Sequence, residues 1–458
     1  MGNATFSLES RTVRRVKMRI LPIAFFMYVI AYMDRVNIGY AALDMNAKLG
    51  ITSEIFGIVT GIFFIGYILF EVPSNMLLER FGARISMTRI LVLWGIVAMA
   101  TGLVQNTNQL YILRFLLGVA EAGCFPGLIF YFTYWFRKKD MAVTLGLFMT
   151  AVPISYIIGA PLSTWIMDNI HWFGLDGWRW MFILEGAPAL ILGIVVFFYL
   201  TDRPENAKWL KEDEKQWLIS ELEKEKVEKK KEKTQKNNHL QALTDPKVLY
   251  LGIVLFFYIA GTLGIGYWMP QIIKGFSETL TNTQIGLVAI IPYIVSGAVM
   301  IYWSYRSDHK LERWFHSMTP LIVAAFAFLG SGMFTKQPIL AMFFITLAIS
   351  GMYCFKSPFF ALINCIISPA KAAVGIAVIN SIGNLGGVVG PYAIGFLKGI
   401  TGTESSGLYL LSGCMIVSFI MVLVLKGTIL KNENTTRIKP LSQKFIYDIK
   451  EKNKNKYT

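Results

Sequence analysis

Charge is scarce in this chain: Asp, Glu, Lys and Arg make up 16% of its 458 residues, against about 25% in soluble domains. Too few side chains remain to clothe a water-soluble globule. Cysteine and histidine are rarer still, at four each. Cys124, Cys354, Cys365 and Cys414 fall in apolar runs without metal-ligand spacing and read as small buried side chains. His171, His239, His309 and His316 lie in or beside loops, so no nucleophile–base or metal set is visible. No GxxxxGK[ST] loop exists to hold phosphates. An intramembrane enzyme and an ATP-driven pump are therefore disfavoured, and neither cofactor nor metal is expected.

What the chain has is apolar length. It is 54% hydrophobic, with a mean hydropathy of +0.51. Charge-poor stretches recur at 20–79, 85–106, 109–136, 141–167, 178–200, 247–273, 283–305, 316–335, 338–367, 371–397 and 405–425. The first splits at Asp44–Glu54, giving twelve spans of roughly the 20 residues that a membrane helix needs. The predicted fold is an all-α membrane protein with twelve transmembrane helices in two pseudo-symmetric six-helix bundles. Residues 20–200 form the first bundle and 247–428 the second, with tails at 1–19 and 429–458. Between the bundles, 201–246 reads as a Glu- and Lys-rich solvated helix serving as a flexible connector.

The formal charge of +15 is topological. Arg11, Arg14, Arg15, Lys17 and Arg19 precede span 1. Arg80 and Arg84 follow span 2, Arg137 to Lys139 follow span 4, and Arg306, Lys310 and Arg313 follow span 8. The intervening loops are nearly free of basic residues, which places both termini in the cytoplasm of a multi-pass plasma-membrane protein. Nucleic acid is not an expected partner. Membrane lipid is, and the chain is expected to act as a monomer.

Near the end of span 1 stand Asp34 and Arg35. Each would cost about 2.5–3.5 kcal/mol at the bilayer centre. Neighbours on a helix point about 100° apart, so the two cannot simply neutralise each other. Span 4 adds Arg114 and Glu121, seven residues apart. That is almost two turns, so both face one direction about 10 Å apart along the axis. A mutually neutralising lock between helices 1 and 4 is one reading. The other is a transport pathway, since intramembrane charges mark ion and substrate routes. With both acids ionised the cluster is neutral. Proton uptake by Asp34 and Glu121 would free Arg35 and Arg114 to grip a carboxylate through paired hydrogen bonds. Burial favours the neutral form of an acid and a nearby arginine the charged form, so a proton could come and go.

Several longer strings resemble the major facilitator superfamily and, within it, the anion:cation symporter family. YMDRVNIGYAA is similar to that family's first-helix signature, and EVPSNMLLERFGAR to its loop between helices 2 and 3. RFLLGVAEAGCFPG resembles the fourth-helix motif, GWRWMFILEGAPALILG the sixth, and KSPFFAL with AVINSIGNLGGVVGPYAIG helices 10 and 11. The resemblance implies proton-coupled uptake of a small organic anion by alternating access. Sugar acids, hydroxydicarboxylates of the tartrate type and aromatic carboxylates are the implied substrates. Asp34 and Glu121 would carry the coupling protons, and Arg35 and Arg114 would serve substrate binding. Tyr32 and Tyr67 resemble cavity-lining positions.

Further candidates are weaker. Lys356, an intramembrane cation of span 10, could meet a second carboxylate. Asn380 and Asn384 share one face of span 11 and could hydrogen-bond substrate hydroxyls. Glu79, Arg80, Arg84 and Asp308 read as inter-helix latches that gate the cytoplasmic face. Trp178, Trp180 and Tyr409 read as interfacial belt residues. An organophosphate or organic-anion exchanger is an alternative function, as is a solute sensor that binds without transport. Span 7 lacks the basic residue that related phosphate exchangers carry, and no soluble signalling domain is attached.

Overall fold

The computed structural model describes residues 8–233, 243–277, 279–310, 312–367 and 369–435, and these contain helices and no strand. Twelve helices are long and apolar enough to cross a membrane. They are span 1 (Leu8–Leu49), span 2 (Ser53–Phe81), span 3 (Ala83–Thr101), span 4 (Thr107–Phe132), span 5 (Lys138–Asn169) and span 6 (Gly177–Tyr199), then span 7 (Pro246–Phe276), span 8 (Asn282–Lys310), span 9 (Trp314–Met333), span 10 (Pro338–Ile366), span 11 (Val374–Thr401) and span 12 (Glu404–Ile429). A polar connector helix, Glu212–Lys233, separates the two sets of six. Because the spans alternate in direction, Leu8, the connector and the end of span 12 share one face. That side is the connector face, and the opposite side the distal face.

The connector is more than a solvated tether. Span 1 has 42 residues, about 63 Å of helix, roughly twice the hydrocarbon thickness of a bilayer. Its first turns project and dock on the connector. Arg11 and Arg15 donate to Glu214 at 2.9 and 2.5 Å, and Glu214 is fully buried. Arg137, itself buried, pairs with Glu9 at 3.0 Å and Asp140 at 2.8 Å and lies over the Trp217 ring at 4.7 Å. The Lys224 ammonium beside Glu221 holds that carboxyl below the usual carboxylate range. Two smaller expectations also change. Trp178 is fully buried rather than interfacial. Cys365 is exposed and Cys414 half-buried, which a span facing lipid permits.

Within the first bundle spans 3 and 6, and 2 and 4, pack closely; in the second, spans 7 and 11, and 9 and 10, do so. Glycine makes one of these approaches possible. A Cβ at Gly118 would stand 2.0 Å from the Phe63 carbonyl oxygen, and one at Gly66 2.4 Å from that of Phe115. Spans 2 and 4 therefore touch backbone to backbone, as small residues allow in membranes. Gly118→Ala is expected to cost about 1–3 kcal/mol through overpacking. Thermal unfolding of the purified protein in detergent would read this as a lowered midpoint, with Gly118→Val lower still.

Span 4 is broken just after Glu121. Ala122 leaves the helix, and Gly123 adopts a left-handed φ of 84° before helix resumes at Cys124. A side chain there would be strained, and its Cβ would lie 2.6 Å from Ser74 Oγ. Irregular backbone at membrane depth is tolerated where it is buried in protein or lines a cavity.

The two bundles meet along spans 1 and 7, 2 and 11, and 5 and 8. At the distal face Asn282 donates to Asp44 at 2.9 Å, and Thr283 donates to Asp168 through its amide at 2.7 Å and its hydroxyl at 2.6 Å. Gly395 faces Ser53 there, Gly61 faces Val388, and Gly39 faces the Tyr267 carbonyl. Toward the connector face the contact fades. The stripe of span 2 that is buried at Gly57, Gly61 and Phe64 is half-buried at Ile68 and exposed at Val72 and Met76. On span 11 the matching stripe runs from buried Gly395 to half-buried Asn384 and exposed Ser381 and Ala377. The molecule is closed distally and open toward the connector.

Candidate functional site

Where that opening narrows, the charged side chains of spans 1 and 4 come together. Arg35 donates through Nη2 to Glu121 Oε1, with side chains 11% and 2% exposed. Aromatic rings enclose its guanidinium: Tyr32 at 5.0 Å, Phe63 at 5.2 Å, Tyr67 at 5.4 Å and Phe64 at 5.9 Å. Such faces attract a cation most when water is excluded. Arg114 is fully buried and also lies over the Phe63 ring, at 5.3 Å.

Arg114 is chemically incomplete. Neither its Nε nor its two Nη atoms has a hydrogen-bond partner. The Tyr267 hydroxyl interacts with it short of a well-formed hydrogen bond. A guanidinium offers five donors in a fixed fork, and a buried unpaired charge is among the costliest arrangements in a protein. Glu121 Oε2, Arg35 Nε and Tyr293 Oη are also buried without partners. Orphaned polar atoms in a protein interior ask for an explanation. Among these atoms the donors outnumber the acceptors, an arrangement suited to an acceptor-rich anion.

Tyrosines extend the site across the bundle interface. Tyr32 lies 5.0 Å from Tyr28 and 6.5 Å from Tyr156 between ring centroids. Tyr156 of span 5 stacks on Tyr293 of span 8 at 4.1 Å, and Tyr293 meets Tyr353 of span 10 at 6.3 Å. A stacked pair with one ring from each bundle must separate or slide if the bundles rock.

Asp34 points elsewhere than Arg35. It is buried, and its Oδ1 accepts from Asn37 Nδ2 at 3.4 Å while Oδ2 has no partner. Asn37 also donates to Glu185 of span 6 at 3.0 Å, and Ser163 of span 5 donates to the same carboxyl at 2.6 Å. Neither Glu185 nor Asn37 is among the residues singled out above, although an acid inside the apolar run 181–196 is the same signal that marks Asp34. Tyr156, Tyr267, Tyr293 and Tyr353 have no such signal, because aromatic residues are common in membrane helices.

The remaining candidates are more dispersed. Lys356 is exposed and pairs with no acid among the described residues, one turn from Tyr353 on the connector side. Asn380 and Asn384 are half-buried and continue the Val388 stripe of span 11 toward the opening. Of the expected latches, Asp308 pairs locally with Arg313 at 2.5 Å, Arg80 lies over Phe81 and Arg84 over Phe197, and Glu79 is exposed. These contacts stay within one bundle. Among the described residues no group of His, Cys, Asp and Glu is clustered as a metal site.

Two six-helix bundles, closed at one face and open at the other around unpartnered donors, define a membrane solute transporter rather than an enzyme. The Major Facilitator Superfamily model matches residues 24–391, and the chain belongs to that superfamily. It is 44% identical over 441 residues to a protein of Agrobacterium vitis whose name assigns it, provisionally, to tartrate transport, covering 95% of this chain and 99% of that one. It is 37% identical over 431 residues to a quinolone resistance transporter of Acinetobacter baumannii, covering 93% and 98%. Among solved structures, the D-xylose–proton symporter superposes with a TM-score of 0.71 at 15% identity, covering 89% of this chain and 96% of that one, a likeness of fold.

Proposed function

We propose that this protein carries a small organic anion into the cell together with protons, by alternating access, as a monomer in the cytoplasmic membrane. The connector face with both termini is the cytoplasmic side, so the described state is inward-open. The observation that carries the reading is Arg114, buried with its whole donor fork unspent beside the Arg35–Glu121 pair. While Glu121 is ionised it occupies Arg35. Once Glu121 takes a proton it can no longer hold the guanidinium as an ion pair, and Arg35 and Arg114 together face an anion. A hydroxydicarboxylate fits best: two guanidinium groups suit carboxylates, and the Tyr267 and Tyr293 hydroxyls and Asn380 and Asn384 suit hydroxyls. The relative named for tartrate supports that class. Tyr32 and Tyr67 wall the site, and Lys356 stands at its cytoplasmic mouth. Glu79, Arg80, Arg84 and Asp308 latch the cytoplasmic face in the opposite state.

Reconstituted proteoliposomes test this. Under an inward proton gradient, wild-type protein is expected to accumulate tartrate above equilibrium, with gluconate, nicotinate and a quinolone as comparison substrates. Glu121→Gln and Asp34→Asn should lose accumulation while labelled-for-unlabelled exchange remains measurable. Accumulation by both variants at the wild-type level would refute the assignment.

A further inference from the structure

Among the described residues of the membrane spans, the mechanism above leaves one buried acid unused. Glu185 sits in the middle of span 6 with its side chain enclosed, and its two oxygens accept from Ser163 of span 5 at 2.6 Å and Asn37 of span 1 at 3.0 Å. Both donors are neutral. The same Asn37 amide reaches Asp34 Oδ1 at 3.4 Å, so two carboxyl groups from different spans share one bridging donor. From span 1 the titratable groups facing Glu185 are Asp34 and Tyr40. Span 5 offers Ser163, and span 3 offers the Trp94 indole on the Asp34 side. Arg179 of span 6 itself donates to the Gly102 and Val104 carbonyls at the distal loop. Beyond Asp34, span 4 contributes Glu121, which is committed to Arg35, and Arg114, which hydrogen-bonds neither acid. Among the described residues no cation pairs with Asp34 or Glu185.

Two ionised carboxylates cannot share such a site, because buried charges without partners neutralise by taking protons. We propose that Glu185 is a proton-binding residue of the transport cycle, holding one proton jointly with Asp34 across the Asn37 amide. This rests on the proton-coupled reading given above and deepens it. Asn37 hydrogen-bonds whichever member of the pair is ionised, and the Ser163 hydroxyl orients the Glu185 carboxyl. The pair behaves as one titrating unit. Asp34 and Arg35 point about 100° apart on span 1, so the pair's proton sits on a different helix face from the Arg35 guanidinium. Release follows substrate departure, when Arg114 is free to compensate Asp34.

The test uses wild-type, Glu185→Gln, Asp34→Asn and doubly substituted protein in proteoliposomes, with tartrate as probe. The ratio of gradient-driven accumulation to exchange is expected to fall at least tenfold in Glu185→Gln. The double variant should fall no further than either single one, as residues acting as a unit require. Exchange reports that each variant is folded. Should the amide not fold, Glu185→Asp keeps a carboxyl one methylene shorter and is expected to accumulate with a displaced pH profile. Infrared difference spectra between acidic and alkaline pH should lose protonated-carboxyl intensity in Glu185→Gln. A wild-type ratio, a wild-type profile for Glu185→Asp or an unchanged spectrum overturns the proposal. Failure of the wild-type protein to accumulate under the gradient would instead refute the proton-coupled reading itself.

Discussion

Arg35→Ala protein is expected to bind the transported anion at least about 30-fold more weakly than wild type. Truncating one partner of a buried hydrogen-bonded charge pair costs about 2–5 kcal/mol, and each 1.4 kcal/mol is about tenfold in affinity. In the proposed bound state Arg35 and the anion form such a pair, with four rings around the guanidinium. Alanine removes the proposed anion ligand and also leaves Glu121 buried without its ion-pair partner. Arg35→Lys should recover part of the loss, because an ammonium keeps the charge but not the two-pronged geometry. Binding measured by calorimetry on detergent-purified protein reads both. Equal affinity in wild type and Arg35→Ala would remove Arg35 from the site. Lowering the pH should strengthen wild-type binding, since proton uptake by Glu121 releases Arg35; above the midpoint, affinity should fall about tenfold per pH unit for one linked proton.

The second large effect concerns the closed distal face. A Cβ at Gly39 would lie 2.5 Å from the Tyr267 carbonyl oxygen, where span 1 meets span 7. Gly39→Leu therefore obstructs distal closure and leaves the distally open state unhindered. Overpacking costs about 1–3 kcal/mol, so the open population should rise about tenfold or more relative to wild type. Thr164, fully buried beside Gly286 in the same interface, offers a reporter. With Cys365 changed to Ser, a cysteine placed by Thr164→Cys should react with a membrane-impermeant maleimide at least about tenfold faster when Gly39→Leu is present. An unchanged rate would mean that the bundles do not rock about this contact.

Much of this architecture is legible from the chain because lipid enforces it. A membrane span must be long, apolar and helical, so the span count follows from charge-poor stretches. The presence of Asp34, Arg35, Arg114 and Glu121 at one depth follows from the same rule. Which acid serves which base does not. Arg35 pairs with Glu121, 86 positions away, while its neighbour Asp34 turns to Asn37 on the next face of the helix. Pairing of that kind depends on how spans 1 and 4 rotate against each other. The Tyr156–Tyr293 stack joins residues from different bundles, and no local pattern announces it. Glu185 carried a readable signal, but its partners Asn37 and Ser163 acquire meaning only when spans 1, 5 and 6 converge. The connector shows the opposite limit. Its Glu and Lys spacing predicts a helix correctly, yet the complete burial of Glu214 under Arg11 and Arg15 depends on the projecting start of span 1.

Whether anion binding is linked to protonation can be measured without a membrane. Tartrate is titrated into detergent-purified protein by calorimetry at one pH, in buffers that differ in their heat of ionisation. At a pH where Glu121 is ionised before binding, the heats should differ between buffers by an amount corresponding to uptake of about one proton per anion bound. Saturable binding with identical heats in every buffer, repeated across the neutral range, would contradict the claim that proton uptake frees Arg35 for substrate.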